Sequence, residues 1–146
     1  MHQIPTRTAT SDDYEFLWQL LKATMQDYVD QTWGWDEVWQ QTYFRENFDP
    51  GENQIVVLNG QDIGVVAVKQ TETAVFLSRI YILPEYQGQG IGTQLVESVK
   101  AEAFSEGLPV TLRVLKVNPA RNWYERLGFV MAEERETHYY MKAMPT

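Results

Sequence analysis

The six residues Gln87-Gly88-Gln89-Gly90-Ile91-Gly92 hold a glycine at every second position, between an apolar strand-like run and a helix-like run. Such a turn presents several backbone N–H groups together. The dipole of the following helix adds partial positive charge, so phosphate oxygens can bind there without a lysine. Glycine also lets the backbone approach a bulky diphosphate. The turn is not a P-loop, because Thr93-Gln94 follows Gly92 where Lys-Ser/Thr would be needed. Nor is it Gly-x-Gly-x-x-Gly, because position 93 is not glycine. Taken alone, it serves as a tight connection as readily as a ligand site.

The turn needs a strand before it and a helix after it. Ala74–Leu83 is the most hydrophobic strand-like run and reads as a central strand ended by Pro84. Ile91, Leu95, Val96, Val99, Ala103 and Phe104 then recur at helical spacing, and Gly107 closes that helix. Val110–Val117 is again extended, so 74–117 reads as strand–helix–strand, a right-handed parallel crossover. Asn118-Pro119 opens a short helix and Gly128 closes it. Phe129–Ala132 and Thr137–Met141 read as a closing hairpin. Upstream, Ile4–Thr8 reads as a short edge strand. A helix over about 12–29 follows the capping cluster Thr10–Asp13. Gln31–Trp35 breaks the pattern at Gly34, and Asp36 starts a second helix with Val38, Trp39, Thr42 and Tyr43 on one side. Asp49-Pro50-Gly51 stops it. Gln54–Leu58 and Asp62–Gln70 flank Asn59-Gly60, the pair favoured in a type I′ hairpin. The order is mixed α/β, with no repeat and no interdomain linker.

Gln87-x-x-Gly90-x-Gly92, placed after Ile80-Tyr81-Ile82-Leu83-Pro84-Glu85-Tyr86, resembles the acyl-CoA-binding motif of the GNAT superfamily of N-acetyltransferases. Downstream, Asn118-Pro119-Ala120-Arg121-Asn122-Trp123-Tyr124-Glu125-Arg126-Leu127-Gly128-Phe129 resembles the second motif of that family. The resemblance covers about residues 54–143. It implies a central mixed, mostly antiparallel sheet of six to seven strands, with a splayed parallel pair and about four helices. It implies acetyl-CoA as the acyl donor, with backbone groups of Ile80 and Ile82 on the pantetheine arm and the Ile80 N–H polarising the thioester carbonyl. The N–H groups of Gly88, Gln89, Gly90, Gly92 and Thr93 would cradle the diphosphate. Gln87 would orient the turn, and Asn118 would hydrogen-bond the pantetheine arm. Tyr124 would stand by the thioester sulfur as general acid, against the plainer role of a buried helix aromatic. Arg121 would approach the 3′-phosphate, or would be an ordinary solvated helix charge.

The acceptor implied by the resemblance is a primary amine arriving over the N-terminal helices. Tyr28, Trp33, Trp35 and Glu37 are the expected contacts, since rings and carboxylates together suit an ammonium group; Trp18 reads as core. Asp36, Glu37 and Glu85 are the candidates for the base, whereas His138 reads as a strand-surface residue and His2 lies near the terminus. The 146 residues carry 12 Lys+Arg against 20 Asp+Glu. The surplus is local: residues 1–58 hold ten acids and three bases, residues 59–146 ten acids and nine bases. That points to a small cationic acceptor. It disfavours nucleic-acid and anionic-membrane partners, which need clustered Lys/Arg. No cysteine is present, which excludes disulfides, thiolate metal sites and a Cys nucleophile. No metal-ligand motif is present, and the absence of a targeting pattern reads as cytoplasmic. The expected organisation is one domain over 1–146, with acceptor-side helices in 1–53 and an acyl-CoA-binding core in 54–146. A homodimer is kept as an option. The rival functions are a protein N-terminal or lysine acetyltransferase and a non-catalytic acyl-CoA-binding regulatory module.

Overall fold

The computed structural model describes residues 4–146, so His2 lies outside the described residues. Strand β1 (Thr6–Thr8) leads through a 3-10 turn into α1 (Tyr14–Trp33) and α2 (Glu37–Glu46). Then come β2 (Gln54–Leu58), β3 (Gln61–Gln70), β4 (Val75–Ile82), α3 (Ile91–Ser105), β5 (Val110–Leu115), α4 (Ala120–Arg126), β6 (Val130–Glu134) and β7 (His138–Ala143). The seven strands form one sheet in the order β1-β2-β3-β4-β5-β7-β6. Every neighbouring pair is antiparallel except β4–β5. This is the mixed α/β sheet with a parallel pair and four helices expected from the sequence.

Local chemistry explains the frame. The Thr10 side chain accepts from the Asp12 N–H, and the Asp13 carboxylate accepts from the Thr10 N–H, which caps the start of the helical segment at both ends of the box. Helix α1 runs four residues beyond the expected 29, to Trp33, and ends where Gly34 takes φ 84°. Asp36 caps α2 by accepting from the Trp39 N–H at 3.0 Å. Asn59 and Gly60 both have positive φ, as the type I′ turn requires.

The sheet buries both faces. One face packs Val56, Ile63, Leu77, Ile82, Val96, Leu112 and Phe129 with α3 and α4. The other packs Leu17, Leu20, Ile55 and Val65 under α1, extended by Phe44, Phe48 and Tyr81. Trp18 is core, at 2% exposure. No residue of helix α2 is buried, and Val38, Trp39 and Tyr43 are exposed. Its hold on the core is Phe44, whose ring lies 5.2 Å from Tyr14 and 5.5 Å from Trp18.

Strands β4 and β5 pair only at Val75↔Val110 and Phe76↔Thr111, then part. A register shift between Ala67 and Val68 leaves Ser78 as an extra residue in β4. A bulge bends its strand and raises its local twist, and this one lies where β4 leaves β5.

Candidate functional site

The parting of β4 and β5 opens a cleft of about 1250 Å³ through the sheet. Its walls are the turn after β4 and helix α4 on one side, and α1 and α2 on the other.

The ladder of β4 decides which backbone groups face the gap. The Leu83 N–H donates to Ile63 O at 2.8 Å, and the partners beside it are Gly64↔Ile82, Val65↔Tyr81 and Val66↔Ile80. Hydrogen-bonded and non-bonded pairs alternate in an antiparallel ladder. Tyr81 therefore bonds to Val65, while the backbone groups of Ile80 and Ile82 point away from β3 and into the gap. The Ile82 carbonyl is already used: Gln87 Nε2 donates to it at 2.8 Å, tying the glycine turn to the end of the strand. The remaining groups form a free strand edge inside the sheet, suited to an extended ligand.

The glycine turn completes that wall. Gly88 and Gly90 take φ 78° and 82°, with open space where a Cβ would stand. Gly90 is the N-cap of α3 and supplies no capping side chain. The N–H groups of Ile91, Gly92 and Thr93 therefore have no intrahelical partner, and these residues line the cleft. At Gly92 a Cβ would meet the Trp123 ring at 3.3 Å, a tight contact that favours glycine. Trp123 Nε1 also donates to Thr93 Oγ1 at 3.2 Å, locking the start of α3 to α4. An uncapped helix start, two left-handed glycines and no obstructing side chain fit phosphate oxygens.

Tyr124 stands on α4 across the gap, its ring packed on Trp123 and Phe129 at 4.9 and 5.7 Å. Burial first, and then the neighbouring Tyr81, push its hydroxyl well above the ordinary phenol value of 10. No protein group among the described residues holds that hydroxyl by a hydrogen bond. Asn118 lines the cleft, with Oδ1 accepting from the Ala120 N–H at 2.9 Å to start α4.

The cleft thus gathers Ile80, Ile82, Gln87, Gly88, Gly90, Gly92, Thr93, Asn118, Tyr124, Tyr28 and Trp33. Four expected residues are not among its lining. Gln89 is exposed on the turn, with Nε2 directed to Glu85 O at 3.4 Å. Arg121 pairs with Glu125 at 2.9 Å and lies over the Tyr139 ring at 4.4 Å. Trp35 stacks on Trp18 at 6.0 Å, its backbone N–H held by the Asp30 carboxylate at 2.9 Å. Glu37 is drawn away by Trp35 Nε1 at 2.8 Å and Lys22 Nζ at 2.7 Å, which hold its carboxyl below the ordinary value. The acidic surplus does not collect in the cleft either, where Asp36 and Asp49 are the acids in the lining.

Residues beyond the expected contacts also stand there. Trp39 and Tyr43 contribute rings, and Trp39 is 57% exposed. His138 lies 5.8 Å from the Trp33 ring rather than on an outer strand surface. Burial, and then Arg113, lower its imidazole from the ordinary 6.5. Arg79, Tyr81 and Arg113 line the floor. Their signal was an arginine inside each of two apolar strands. Among the described residues, no helix is long and apolar enough to cross a membrane, and no three His, Cys, Asp or Glu groups are gathered for a metal.

Residues 50–131 match the family model of the acetyltransferase (GNAT) domain. A thialysine N-epsilon-acetyltransferase of mouse is 37% identical over 82 residues, which are 54% of this chain and 48% of that protein. A ribosomal protein bS18-alanine N-acetyltransferase of Haemophilus influenzae is 32% identical over 88 residues, 60% of each chain. The chain thus aligns with about half to three-fifths of these relatives. The fold matches the PaiA N-acetyltransferase of Thermoplasma acidophilum, solved in complex with coenzyme A (TM-score 0.75, 19% identity, 98% of this chain and 99% of that one). It also matches the ribosomal-protein-S18-alanine N-acetyltransferase of Escherichia coli (TM-score 0.69, 20% identity, 97% and 94%). With more than half its length in the family model, the chain belongs to the GNAT acetyltransferase domain family.

Proposed function

We propose that the protein is an acetyl-CoA-dependent N-acetyltransferase acting on a primary amine. The observation that carries this reading is the split between β4 and β5, with a phosphate-ready helix start and Tyr124 in its lining. Acetyl-CoA supplies an acetyl thioester. The free edge at Ile80 and Ile82 takes its pantetheine arm as an added strand, with Asn118 beside it. The N–H groups at Gly88, Gly90, Gly92 and Thr93 hold the diphosphate, and Gln87 fixes the turn. The Ile80 N–H steadies the carbonyl oxygen as charge develops on it.

The amine enters from the α1–α2 side, against Tyr28, Trp33 and Trp39. As the nitrogen–carbon bond forms and the carbon–sulfur bond breaks, Tyr124 delivers its proton to the sulfur. Its raised pKa keeps it protonated until then. His138 is neutral at pH 7 and faces the acceptor side, so it can take the proton the amine must lose. In this reading 1–53 is the acceptor side and 54–146 the donor side of one domain.

A peptide N-terminus is the second reading, favoured by the exposed rings at the open rim of the cleft. The test is thermal shift with acetyl-CoA, then acceptors read by free CoA thiol release. The protein has no cysteine, so it adds no thiol of its own. Stabilisation by acetyl-CoA with turnover of free amines is expected. Turnover of peptides alone moves the assignment to the second reading, and no shift with acetyl-CoA refutes both.

A further inference from the structure

The acceptor half of the cleft carries positive charge without a partner. Alternation along β4 puts Arg79 and Tyr81 on the α1 face of the sheet. Ladder partners share a face, so on β5 and β7 Leu115 and His138 lie together, with Arg113 on the same side. Arg79, Tyr81, Arg113 and His138 all line the cleft. Both guanidiniums oppose the rise that burial imposes on the Tyr81 hydroxyl, and Arg113 adds to the lowering of His138.

Among the described residues, Arg79 and Arg113 are two of the five cations without an ion pair, although the chain is rich in acids. It has 20 carboxylates for 12 cations, and seven of those cations lie within 4.0 Å of a carboxylate among the described residues. Neither cleft arginine does. Arg79 donates to the neutral Asn53 Oδ1 at 3.1 Å. Arg113 is exposed to the cleft with no ion-pair partner. The two acids of the lining serve helical turns: Asp36 accepts from the Trp39 N–H, and Asp49 from the Gly51 N–H at 3.2 Å. A guanidinium without a counterion favours an anion, and its planar fork matches a carboxylate.

We propose that Arg113, with Arg79, binds a carboxylate on the acceptor, so that the acceptor is an amino acid or similarly zwitterionic amine rather than a purely cationic one. This rests on the acetyltransferase reading for the amine and donor, but the anion site has its own readout. The diphosphate does not compete for it, because the glycine turn lies beyond β4 on the donor side.

The test uses matched probes that differ only in the anion: L-lysine, lysinamide and cadaverine, and glycine with glycinamide. Calorimetry on the CoA-loaded protein reads binding without transfer, and thiol release reads turnover. The carboxylate member of each set is expected to bind and react about 10- to 100-fold better, as for hydrogen bonds between charged groups. In Arg113→Gln that preference is expected to fall toward unity. Arg113→Lys, which keeps the charge but loses the fork, should lie between. Arg113 is exposed, so the fold should survive, and the melting temperature checks it. Equal binding of acid and amide, no binding of either, or a preference unchanged in Arg113→Gln overturns the anion site. Carboxylate-selective binding with no thiol release from any acceptor keeps the anion site and refutes the transferase reading.

Discussion

Gly64→Ala tests whether strand spacing positions the site. Gly64 faces Ile82 across the β3–β4 ladder. A Cβ on Gly64 would lie 2.4 Å from the Tyr81 carbonyl oxygen and 2.8 Å from Ile82 Cδ1. The Ile82 methyl can rotate away. The carbonyl must retreat by about 0.6 Å to reach a tolerable 3.0 Å, and it is held by its ladder bond to Val65. Overpacking of this kind costs about 1–3 kcal/mol. For a chain of this size that lowers Tm by about 3–10 °C. The shift passes to Ile80 and Ile82, the residues whose free backbone edge faces the gap. A misplacement of about 1 Å costs about 100-fold in rate, so a loss of about tenfold in kcat/KM is expected here. Circular dichroism melting and CoA thiol release at low acceptor concentration read the two effects. A Tm within about 1 °C of the parent would show that the contact is relieved without moving β4. A lowered Tm with full kcat/KM would refute the link from strand spacing to the site.

Tyr124→Phe keeps both ring contacts and removes a hydroxyl with no protein partner, so Tm should hold while turnover falls by about 10²–10⁴; full turnover removes Tyr124 from the chemistry. Gly90→Val forces a branched residue into φ 82°, which costs about 1–2 kcal/mol, and should weaken coenzyme A binding by about tenfold or more in calorimetry; unchanged affinity would place the diphosphate elsewhere. Asp13→Asn removes a carboxylate that accepts from Arg7 at 2.8 and 3.0 Å and from the Thr10 N–H at 2.8 Å. Discounted for the exposure of Arg7, the loss should be about 1–2 kcal/mol near neutral pH. The Arg7 guanidinium holds the Asp13 carboxyl below its ordinary 3.8, so its contribution is full above that pH and is lost as pH falls below it. The urea midpoints of parent and variant should therefore converge in acid, and a gap that stays constant would exclude the charge as its cause.

The sequence was most readable where one residue type answers one local demand. Asn59-Gly60 suits a turn with two positive φ angles, and both residues take them. The tryptophans were less readable. Trp35 and Trp39 looked alike in composition, but the Asp30 and Glu37 carboxylates hold Trp35 on Trp18, while Trp39 stays exposed at the cleft. The acids misled for a related reason. Glu37 and Asp13 are matched by Lys22 and Arg7, and Asp36 and Asp49 are used as caps, so a regional count of charge did not become a local field. Arg79 and Arg113 escaped notice because their faces depend on ladder register, and the extra residue Ser78 resets the phase along β4.

The two-rung pairing of β4 with β5 also bears on how the molecule assembles. Strands β1 to β4 lie side by side in sequence order, and β2 to β4 join through short turns, so that half can form from local chain. Strand β5 has two residues paired on one side and gains six partners from β7, with Val110 meeting Ala143. That closure spans a helix, an outer strand and a loop, the long-range pairing that slows folding. Strand β7, the latest of the seven in chain order, therefore sits inside the second half-sheet, and it carries His138. The acceptor side of the cleft is completed only when that strand docks.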